Sequence, residues 1–580
     1  MKRKYLAALL ALTLLLGLVL PAAAEEVQDA PSDVETIRIA SAEEFLTFAK
    51  NCVLDSWSQN KQVLLTADIS LEETDFAPIP TFGGSFDGGG HTISGLSLTQ
   101  NLSPAGLFGI LQPTAVVKNL TVQGIVTPGG DGLSVGGVAG ENYGTVENGT
   151  FIGTVVGKTN TGGIAGMNYG TLRACRAEGN VTGDNRTGGI VGYNCGSLVS
   201  CRSSASVNTE SVDPTINPKD IRLDFSMDFS KTANLDDSDA ASDTGGIAGY
   251  SSGTITSCVN SGSVGYPHIG YNLGGIVGRS CGFVEGCRNE GFITGRKDVG
   301  GVVGQIEPHI QTILSPDYLE TLSEQFENLG GLVSRAGSNG ADMGGDVQSC
   351  IQTLTGYQSS ARSALESLVS GAASGEVNEE ALSSLGSAVQ GMANTSGDLR
   401  HAIGQGVDTL TNDISAISGQ ISAISRTFAL ATEDAKKETV TDISEVDLDA
   451  ITEGLVGSCQ NSAAVEGDLN VGGITGVMGL ESTADPEDDA PSGNLTQRRR
   501  YELKAIVRDC ENTGRITGKR SYVGGICGRM ELGLICESRG FGTITSENGD
   551  YVGGIAGLTG GTIRSCFAKC TLSGGSYIGG

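Results

Sequence analysis

Residues Gly162 to Thr187 read GGIAGMNYGTLRACRAEGNVTGDNRT, and their opening pattern, Gly-Gly-Ile/Val-x-Gly, returns along the chain. Five of the steps between the copies are 26 residues or a near multiple of it. A fixed period in this range is typical of a solenoid, in which each repeat buries its apolar face only against its neighbours. The nine copies begin at Gly136, Gly162, Gly188, Gly245, Gly274, Gly300, Gly472, Gly524 and Gly553.

Within one repeat, short apolar runs such as Ile164-Ala165 alternate with Gly, Asn and Asp, which indicates short strands separated by turns. A coil of 26 residues is too short for a helical crossover and too rich in glycine for a helical pair. We therefore predict a mainly β fold, a parallel β-helix with two or three strands in each coil. The glycine pairs are expected to allow positive φ and a close approach of successive coils.

A column of cysteines runs half a period out of phase with the glycines. It consists of Cys175, Cys201, Cys258, Cys287, Cys459, Cys510 and Cys566. Because thiols are small, apolar and readily buried, we predict an interior column. The alternative is a disulfide framework, which exported proteins often carry, and its best candidates pair Cys195 with Cys201 and Cys281 with Cys287.

Asparagines occupy a third fixed position in the repeat. Asn142, Asn168 and Asn194 each lie six residues into a repeat, so they are expected to stack as an amide ladder at a turn. A polar groove is the functional interpretation of such a ladder. Hydrogen-bond satisfaction of the turn is the structural one, and we favour it.

Residues 1–24 form an export signal, with a basic start, an apolar run from Leu6 to Leu20 and a small-residue cleavage site at Ala22 to Ala24. The full chain carries a formal charge of -29, and removal of three signal residues with positive charge makes the mature chain more acidic. Nucleic-acid binding needs clustered Lys and Arg, so we expect no nucleic-acid partner. We also expect no membrane span after the signal.

The segment before the repeats differs from them. Thr36 to Ala40 and Gln62 to Ser70 are predicted strands, and Ala42 to Cys52 is a predicted amphipathic helix capped by Ser41. A helix over the first coil would shield a sheet edge that otherwise invites aggregation. We assign residues 34–80 to this N-terminal cap.

Several motifs carry a family resemblance. They are Phe86-Asp87-Gly88-Gly89-Gly90-His91-Thr92-Ile93, Gly106-Leu107-Phe108-Gly109 and Val117-Lys118-Asn119-Leu120, followed by Gly163-Ile164-Ala165-Gly166, Gly189-Ile190-Val191-Gly192 and Gly275-Ile276-Val277-Gly278. In these the chain resembles bacterial surface proteins with GLUG-motif repeats. The resemblance implies a right-handed parallel β-helix at the bacterial cell surface, in adhesin-like proteins or beside peptidase domains that cleave IgA.

One coil is interrupted by a long insert. Cys459 lies 159 residues after Gly300, where other repeats have 13, so about 146 residues are inserted. From Leu319 to Leu368, and again from Leu382 to Phe428, apolar residues recur at steps of three and four, which predicts two helices of about 55 residues. We expect a long antiparallel helical hairpin, which either only spaces or docks on a partner.

Two shorter inserts, about 208–240 and 481–502, are rich in charge and are predicted as solvated loops. The domain prediction thus places β-helix at 81–305 and 453–580 and the helical insert at 306–452. Because Gly579 and Gly580 open another repeat, we expect the chain to be incomplete at its C-terminus.

The sequence offers no catalytic or metal motif. Its four histidines, His91, His268, His309 and His401, lie in no H-E-x-x-H pattern, and the only metal binding left open is incidental calcium at the inserts. An arginine stripe beside the cysteines could bind anionic glycans, although a solvated strand face is the simpler interpretation. It comprises Arg173, Arg176, Arg202 and Arg288.

These observations predict a non-catalytic, secreted bacterial surface protein, an adhesin or stalk that binds a host or envelope glycan or protein and needs no cofactor. The alternatives are an accessory region of a larger surface enzyme, such as an IgA-cleaving peptidase, and a polysaccharide-active β-helix. The oligomeric state is left open by the sequence.

Overall fold

The computed structural model describes residues 35–74, 76–130, 132–210, 242–312, 316–339, 345–374, 379–402, 408–434, 440–446, 452–479 and 501–580. The predicted export signal lies outside these residues. So does most of each predicted loop insert, namely residues 211–240 and 481–500.

The predicted β-helix is confirmed: four long sheets, with 13, 10, 11 and 16 strands, stack the coils in parallel. A coil contains four short strands and not two or three, because Gly- and Asn-containing turns break it every few residues. In one coil the chain visits the four sheets through Leu133–Gly136, Ala139–Asn142, Thr145–Glu147 and Thr150–Val156. We call these sheets the first, second, third and fourth sheet in that order.

The first sheet consists of Leu133–Gly136, Thr159–Gly162, Asn185–Gly188, Ser242–Gly245, Tyr271–Gly274, Lys297–Gly300, Leu469–Gly472, Val523–Gly524, Val552–Gly553 and Ile578–Gly579. The second sheet consists of Ile79–Phe82, Phe108–Leu111, Ala139–Asn142, Ala165–Asn168, Val191–Asn194, Ala248–Ser251, Val277–Ser280, Val303–Ile306, Thr475–Met478, Cys527–Met530 and Ala556–Thr559.

The third sheet consists of Glu35–Ile39, Lys61–Leu65, Ser85–Asp87, Val116–Lys118, Thr145–Glu147, Thr171–Arg173, Ser197–Val199, Thr254–Thr256, Phe283–Glu285, Leu455–Gly457, Ile506–Arg508, Leu534–Cys536 and Thr562–Arg564. The fourth sheet consists of Ile69–Ser70, Thr92–Leu98, Thr121–Val126, Thr150–Val156, Arg176–Thr182, Arg202–Ser203, Ser206–Val207, Val259–Asn260, Arg288–Asn289, Ile293–Thr294, Gln460–Asn461, Val465–Gly467, Glu511–Asn512, Ile516–Gly518, Arg539–Ser546 and Phe567–Ser573.

The N-terminal segment closes one end of the rod. Helix α1, Ala42–Asn51, begins at Ser41, whose Oγ accepts a hydrogen bond from the Glu44 backbone N–H at 3.3 Å. The Glu44 carboxylate accepts one in turn from the Ala40 N–H at 2.7 Å, which completes a capping box. Phe45 and Phe48 on the buried face of α1 pack onto the first coils, so the helix covers apolar surface there.

The motif glycines serve close contact and not unusual backbone conformation, which corrects one expectation from the sequence. In the nine copies, none of the motif glycines has a positive φ. A Cβ on Gly106, which precedes them in the same corner, would lie 2.8 Å from the carbonyl carbon of Ala139 in the next coil. At Gly528, the last glycine of another copy, an added Cβ would lie 2.6 Å from the backbone of Asn470. Only glycine lets the coils approach this closely.

The predicted helical insert is confirmed, but it contains four helices instead of the two long ones of a hairpin. They are α2, Pro316–Asn339; α3, Gly345–Ser374; α4, Glu379–Ala402; and α5, Asp408–Asp434. Helix α2 ends at Asn339 and α4 ends at Ala402, each next to glycines at which the sequence suggested weak points within a helix. Glycine costs about 1 kcal/mol in a helix, so clustered glycines favour helix ends.

Contacts between the helices fix an up-down-up-down arrangement. Gln358 on α3 donates to the Phe326 carbonyl oxygen on α2 at 3.1 Å, and the Oγ atoms of Ser396 on α4 and Ser418 on α5 are 2.6 Å apart. Helices α2 and α5 also meet, where Asn339 donates to Asp413 at 2.6 Å. The insert is therefore a four-helix bundle with its own apolar core.

A three-stranded sheet joins the bundle to the rod. Tyr501–Lys504 pairs antiparallel with His309–Thr312, which precedes the bundle, and parallel with Val440–Asp442, which follows it. After the bundle the third sheet continues in register, with Leu455 paired to Phe283 across the insert. The coils on either side therefore stack as if the insert were absent.

Candidate functional site

The cysteine column lies inside the rod. Six of the seven thiols of the column donate to a backbone carbonyl of the coil before them, as Cys201 does to Leu172 at 3.4 Å and Cys510 to Val456 at 3.4 Å. Burial raises the pKa of the Cys459 thiol, and the same holds for Cys287. These thiols are free in the structure, and only Cys566, in the last coil, is half-buried instead of buried. Enclosed thiols with a raised pKa, such as those of Cys287 and Cys459, pack the core and do not act as nucleophiles.

The proposed disulfide pairs are not formed. Cys201 and Cys287 belong to the interior column, whereas Cys195 and Cys281 lie at half-buried positions toward the outside. The Cys195 sulfur contacts the Ser252 hydroxyl at 3.3 Å, and the Cys281 sulfur contacts the Tyr250 hydroxyl at 3.4 Å. The two cysteines of each proposed pair therefore lie on opposite faces of the coil, one facing the interior and the other the outside.

The asparagine ladder is buried and satisfies its own turns. Asn142 donates to the Asn168 side-chain oxygen at 2.7 Å, and Asn168 donates to Asn194 at 2.8 Å. The Asn194 amide in turn donates to the Ser251 hydroxyl at 3.0 Å, which ends the ladder. Because these residues have no exposed surface, the ladder offers no groove to a ligand.

A second amide ladder was not foreseen from the sequence. It links Asn260, Asn289, Asn461 and Asn512 through hydrogen bonds of 3.0, 2.8 and 2.8 Å. Its signal in the sequence is Cys-x-Asn, which places an asparagine two residues after four of the column cysteines. At the same interior level other coils carry Phe151 or Ala177, so the ladder replaces apolar packing by a hydrogen-bonded stack.

The arginine stripe lies on the solvent face. Arg176 pairs in register with Arg202 on the fourth sheet, and both side chains are exposed, as are Arg173 and Arg288. Arg288 has a carboxylate neighbour in Glu290 at 3.8 Å. Exposed ion pairs of this kind contribute little, and the geometry agrees with the simpler interpretation of a solvated strand face.

The histidines are dispersed, each beside a carboxylate of its own. His91 lies 3.2 Å from Asp68, His268 lies 2.6 Å from Asp468 and His309 lies 2.7 Å from Glu453. His401 is in α4, and its side chain lies outside what the structure describes. Among the described residues, no three His, Cys, Asp or Glu side chains gather as a metal site.

A tyrosine ladder on the outer wall is the most distinctive surface of the rod, and the sequence reasoning missed it. The rings of Tyr143 and Tyr169 are stacked with centroids 4.8 Å apart, and those of Tyr193 and Tyr250 with centroids 5.4 Å apart. Tyr169 and Tyr193 join the two pairs at 6.4 Å, so the ladder spans four coils. Its sequence signal is a tyrosine next to the position of the first asparagine ladder.

Hydrogen bonding to the Cys195 thiol, together with burial, raises the pKa of Tyr193 to about 12. Burial is the main cause that raises the pKa of Tyr250. Both phenols therefore keep their protons at neutral pH. They can donate and accept hydrogen bonds but cannot serve as general bases.

Two arginines lie against this ladder. The Arg186 guanidinium carbon is 5.2 Å from the Tyr193 ring centroid and 5.6 Å from that of Tyr250. The guanidinium carbon of Arg279, which lies in the next coil, is 5.0 Å from the Tyr250 ring centroid. Arg279 also forms an ion pair with Asp243 at 2.9 Å. We call Tyr143, Tyr169, Tyr193, Tyr250, Arg186 and Arg279 the tyrosine–arginine strip. Cation–π contacts of this type hold a guanidinium in a fixed place.

A shorter ladder of the same kind lies in the last coils. The rings of Tyr551 and Tyr577 have centroids 4.7 Å apart, and Tyr522 stacks on Tyr551 at 5.2 Å. Arg529 lies 5.6 Å from the Tyr522 ring, but it is neutralised by Glu531 at 2.9 Å. The arginine of this ladder is therefore already paired with a carboxylate.

With this geometry the chain is a β-helix repeat protein. It is similar to halomucin of Haloquadratum walsbyi, with 40% identity over 119 residues, a stretch that makes up 18% of this chain and 1% of halomucin. No family profile and no solved structure matches the chain. Within its described part, the protein has no helix with the length and apolar character that crossing a membrane would require.

Proposed function

We propose that this protein is an exported, non-catalytic scaffold of the bacterial cell surface, of adhesin or stalk type, whose rod presents the four-helix bundle to a glycan or protein ligand. The export signal and the resemblance to GLUG-motif surface proteins support the location. The partial similarity to halomucin is compatible with it. The dispersed histidines and the protonated tyrosines support a binding role over a catalytic one.

The observation that carries the proposal is how the bundle is attached. The coils before and after it remain in register, with Gly300 paired to Gly472 as in uninterrupted repeats. The bundle thus contributes nothing to the stacking of the rod, and its core contains none of the residues of the β-helix core. An element that the scaffold does not need for folding is free to serve recognition.

The attachment also permits a clean deletion. Thr312 and Val440 both pair with Tyr501, from its two sides, so the ends left by removing 313–439 lie about two strand spacings, or ~10 Å, apart. A Gly-Ser linker of about six residues spans this distance. The matched control replaces 211–241, the insert of another coil, by the same linker.

The experiment compares the full chain with both deletion variants on a printed glycan array and on immobilised collagen and fibronectin. We expect the variant without the bundle to lose binding and the control to keep it. Equal binding by the two variants would remove the bundle as the element that holds the ligand.

A further inference from the structure

The tyrosine–arginine strip contains one residue that the fold itself does not favour. In the first sheet the same position of each coil has a left-handed backbone, with φ from 52° at Asp243 to 67° at Tyr522. Five of these positions hold Asn or Asp, namely Asn160, Asp243, Asn272, Asp298 and Asn470, and four hold Ser134, Tyr522, Tyr551 and Tyr577. Asn and Asp accept this conformation because their short side chains hydrogen-bond locally. Asn and Asp are therefore the residues that this corner accepts with the least strain.

Arg186 occupies this position in its coil, with φ of 54°. A long side chain gains nothing from the left-handed conformation and is strained by it, and strain of this kind is concentrated at functional sites. Asn185 and Thr187 on either side have ordinary strand geometry, so the strain belongs to Arg186 alone. The fold would be served better by asparagine here.

The charge of Arg186 is also uncompensated. Among the described residues no carboxylate pairs with it, and its Nε has no hydrogen-bond partner there. Arg279, on the same strip, has Asp243 at 2.9 Å. In a chain with a net charge of -29, a half-buried arginine that lies beside two stacked tyrosine rings without a carboxylate is a site for an anion.

The surroundings of Arg186 select the kind of anion. The strands Val191–Asn194 and Ala248–Ser251 are paired on both sides, so their backbone cannot take up an added peptide strand. Recognition must use side chains alone: a planar guanidinium, which binds carboxylate through two hydrogen bonds, and tyrosines with apolar rings and polar tips. Tyr143 and Tyr169 extend this amphipathic surface over two further coils.

We propose that the tyrosine–arginine strip binds an acidic oligosaccharide along the rod, with Arg186 recognising the carboxylate of a uronic acid unit. The hydroxyls of the sugar bond to the tyrosine Oη atoms, and its C–H groups pack on the ring edges. This site is distinct from the helical bundle, so the proposal does not depend on whether the bundle binds a ligand.

The test is calorimetric titration of the full chain with tetragalacturonate and with its methyl ester, which lacks the charges. We expect saturable binding of the acid and at least tenfold weaker binding of the ester. In R186N the affinity for the acid should fall at least tenfold while the melting temperature stays equal or rises, because asparagine suits the left-handed corner. R202N, which removes the same charge from the fourth sheet, should bind as the wild type does.

The proposal would be overturned by no binding of the acid by the full chain, by equal binding of acid and ester, or by unchanged affinity in R186N. A lower melting temperature of R186N would show that Arg186 is there for the fold, which also contradicts it. The variant without residues 313–439 should still bind tetragalacturonate, and this separates failure of the strip from failure of the bundle.

Discussion

At the scale of single residues, the repeat is defined by how little space its corners leave. Each coil follows the next at the distance of hydrogen-bonded strands, about 4.8 Å, so a side chain at a corner meets backbone of the neighbouring coil. Glycine fits the corners because it has no side chain. Cysteine fits the interior because its side chain is small and apolar and its thiol also donates to a backbone carbonyl.

Substitution of a motif glycine should therefore be severe. In Gly528→Ala the new Cβ would lie 2.6 Å from both Asn470 C and Val471 N, which are backbone atoms that cannot move aside. We expect a loss of about 3 kcal/mol in the free energy of unfolding, measured by urea denaturation. The control is Gly457→Ala, where the nearest atom is a flexible Leu455 side-chain carbon at 3.4 Å. Equal losses in both variants would contradict this explanation.

The buried thiols predict a fall in stability at alkaline pH. Burial raises the pKa of Cys52 from 9.0 to about 12, so the folded protein keeps a proton that the unfolded chain loses between these values. The stability from this group is complete below pH 9 and declines as the pH rises toward 12, by at most about 1.4 kcal/mol per pH unit.

Urea midpoints at pH 7.5 and pH 10 measure this decline. Cys52→Ala should lower stability at both values but show a smaller difference between them than the wild type does. If the two proteins have the same pH dependence, the Cys52 thiol does not titrate as its burial requires.

At the scale of elements, the helical insert shows how glycine divides a continuous apolar pattern. The heptad-like spacing from Leu319 to Leu368 has no break, yet α2 ends at Asn339 and α3 begins at Gly345. Once the chain folds back, α2 contacts both α3 and α5, and each of the four helices buries its apolar stripe against two neighbours. Two long helices would have only one partner each.

Two glycines within the bundle should respond in opposite directions to alanine. Gly331 on α2 is exposed with nothing within 4 Å of an added Cβ, so Gly331→Ala should stabilise the bundle by about 1 kcal/mol. Gly391 on α4 receives the Tyr357 ring, which would lie 2.5 Å from the new Cβ, so Gly391→Ala should destabilise it. Thermal unfolding followed at 222 nm measures both. Stabilisation by both substitutions would contradict the packing of α3 on α4.

At the scale of the whole molecule, the protein consists of a rod and a bundle with separate cores. Their connection is a small three-stranded sheet, in which the Ser444 hydroxyl accepts from the Ala505 N–H at 3.0 Å. Below it, Leu455, Ile506 and Leu534 form an apolar cluster on the outer side of the third sheet. The three-stranded sheet thus covers apolar surface on the outside of the rod and is not part of the interior core.

Heating should therefore produce two unfolding transitions, one for the bundle and one for the rod, because each core is lost cooperatively by itself. In the variant that replaces 313–439 by a short linker, we expect the helical transition to disappear and the other to keep its midpoint within a few degrees. A scanning calorimeter measures both. One transition in the full chain, or a large shift in the variant, would mean that the two cores are coupled.

The sequence by itself determined the rod, the phase of its cysteines and the position of the insert, since a strict repeat makes each coil contact the same positions of the next. It could not determine the tyrosine–arginine strip. Arg186 and Tyr250 are far apart in the chain and meet only because Asn185–Gly188 and Ser242–Gly245 stack in register as neighbouring coils. The fourfold division of the helices was likewise decided by tertiary packing, which turned glycine clusters into helix ends so that every apolar stripe found two partners.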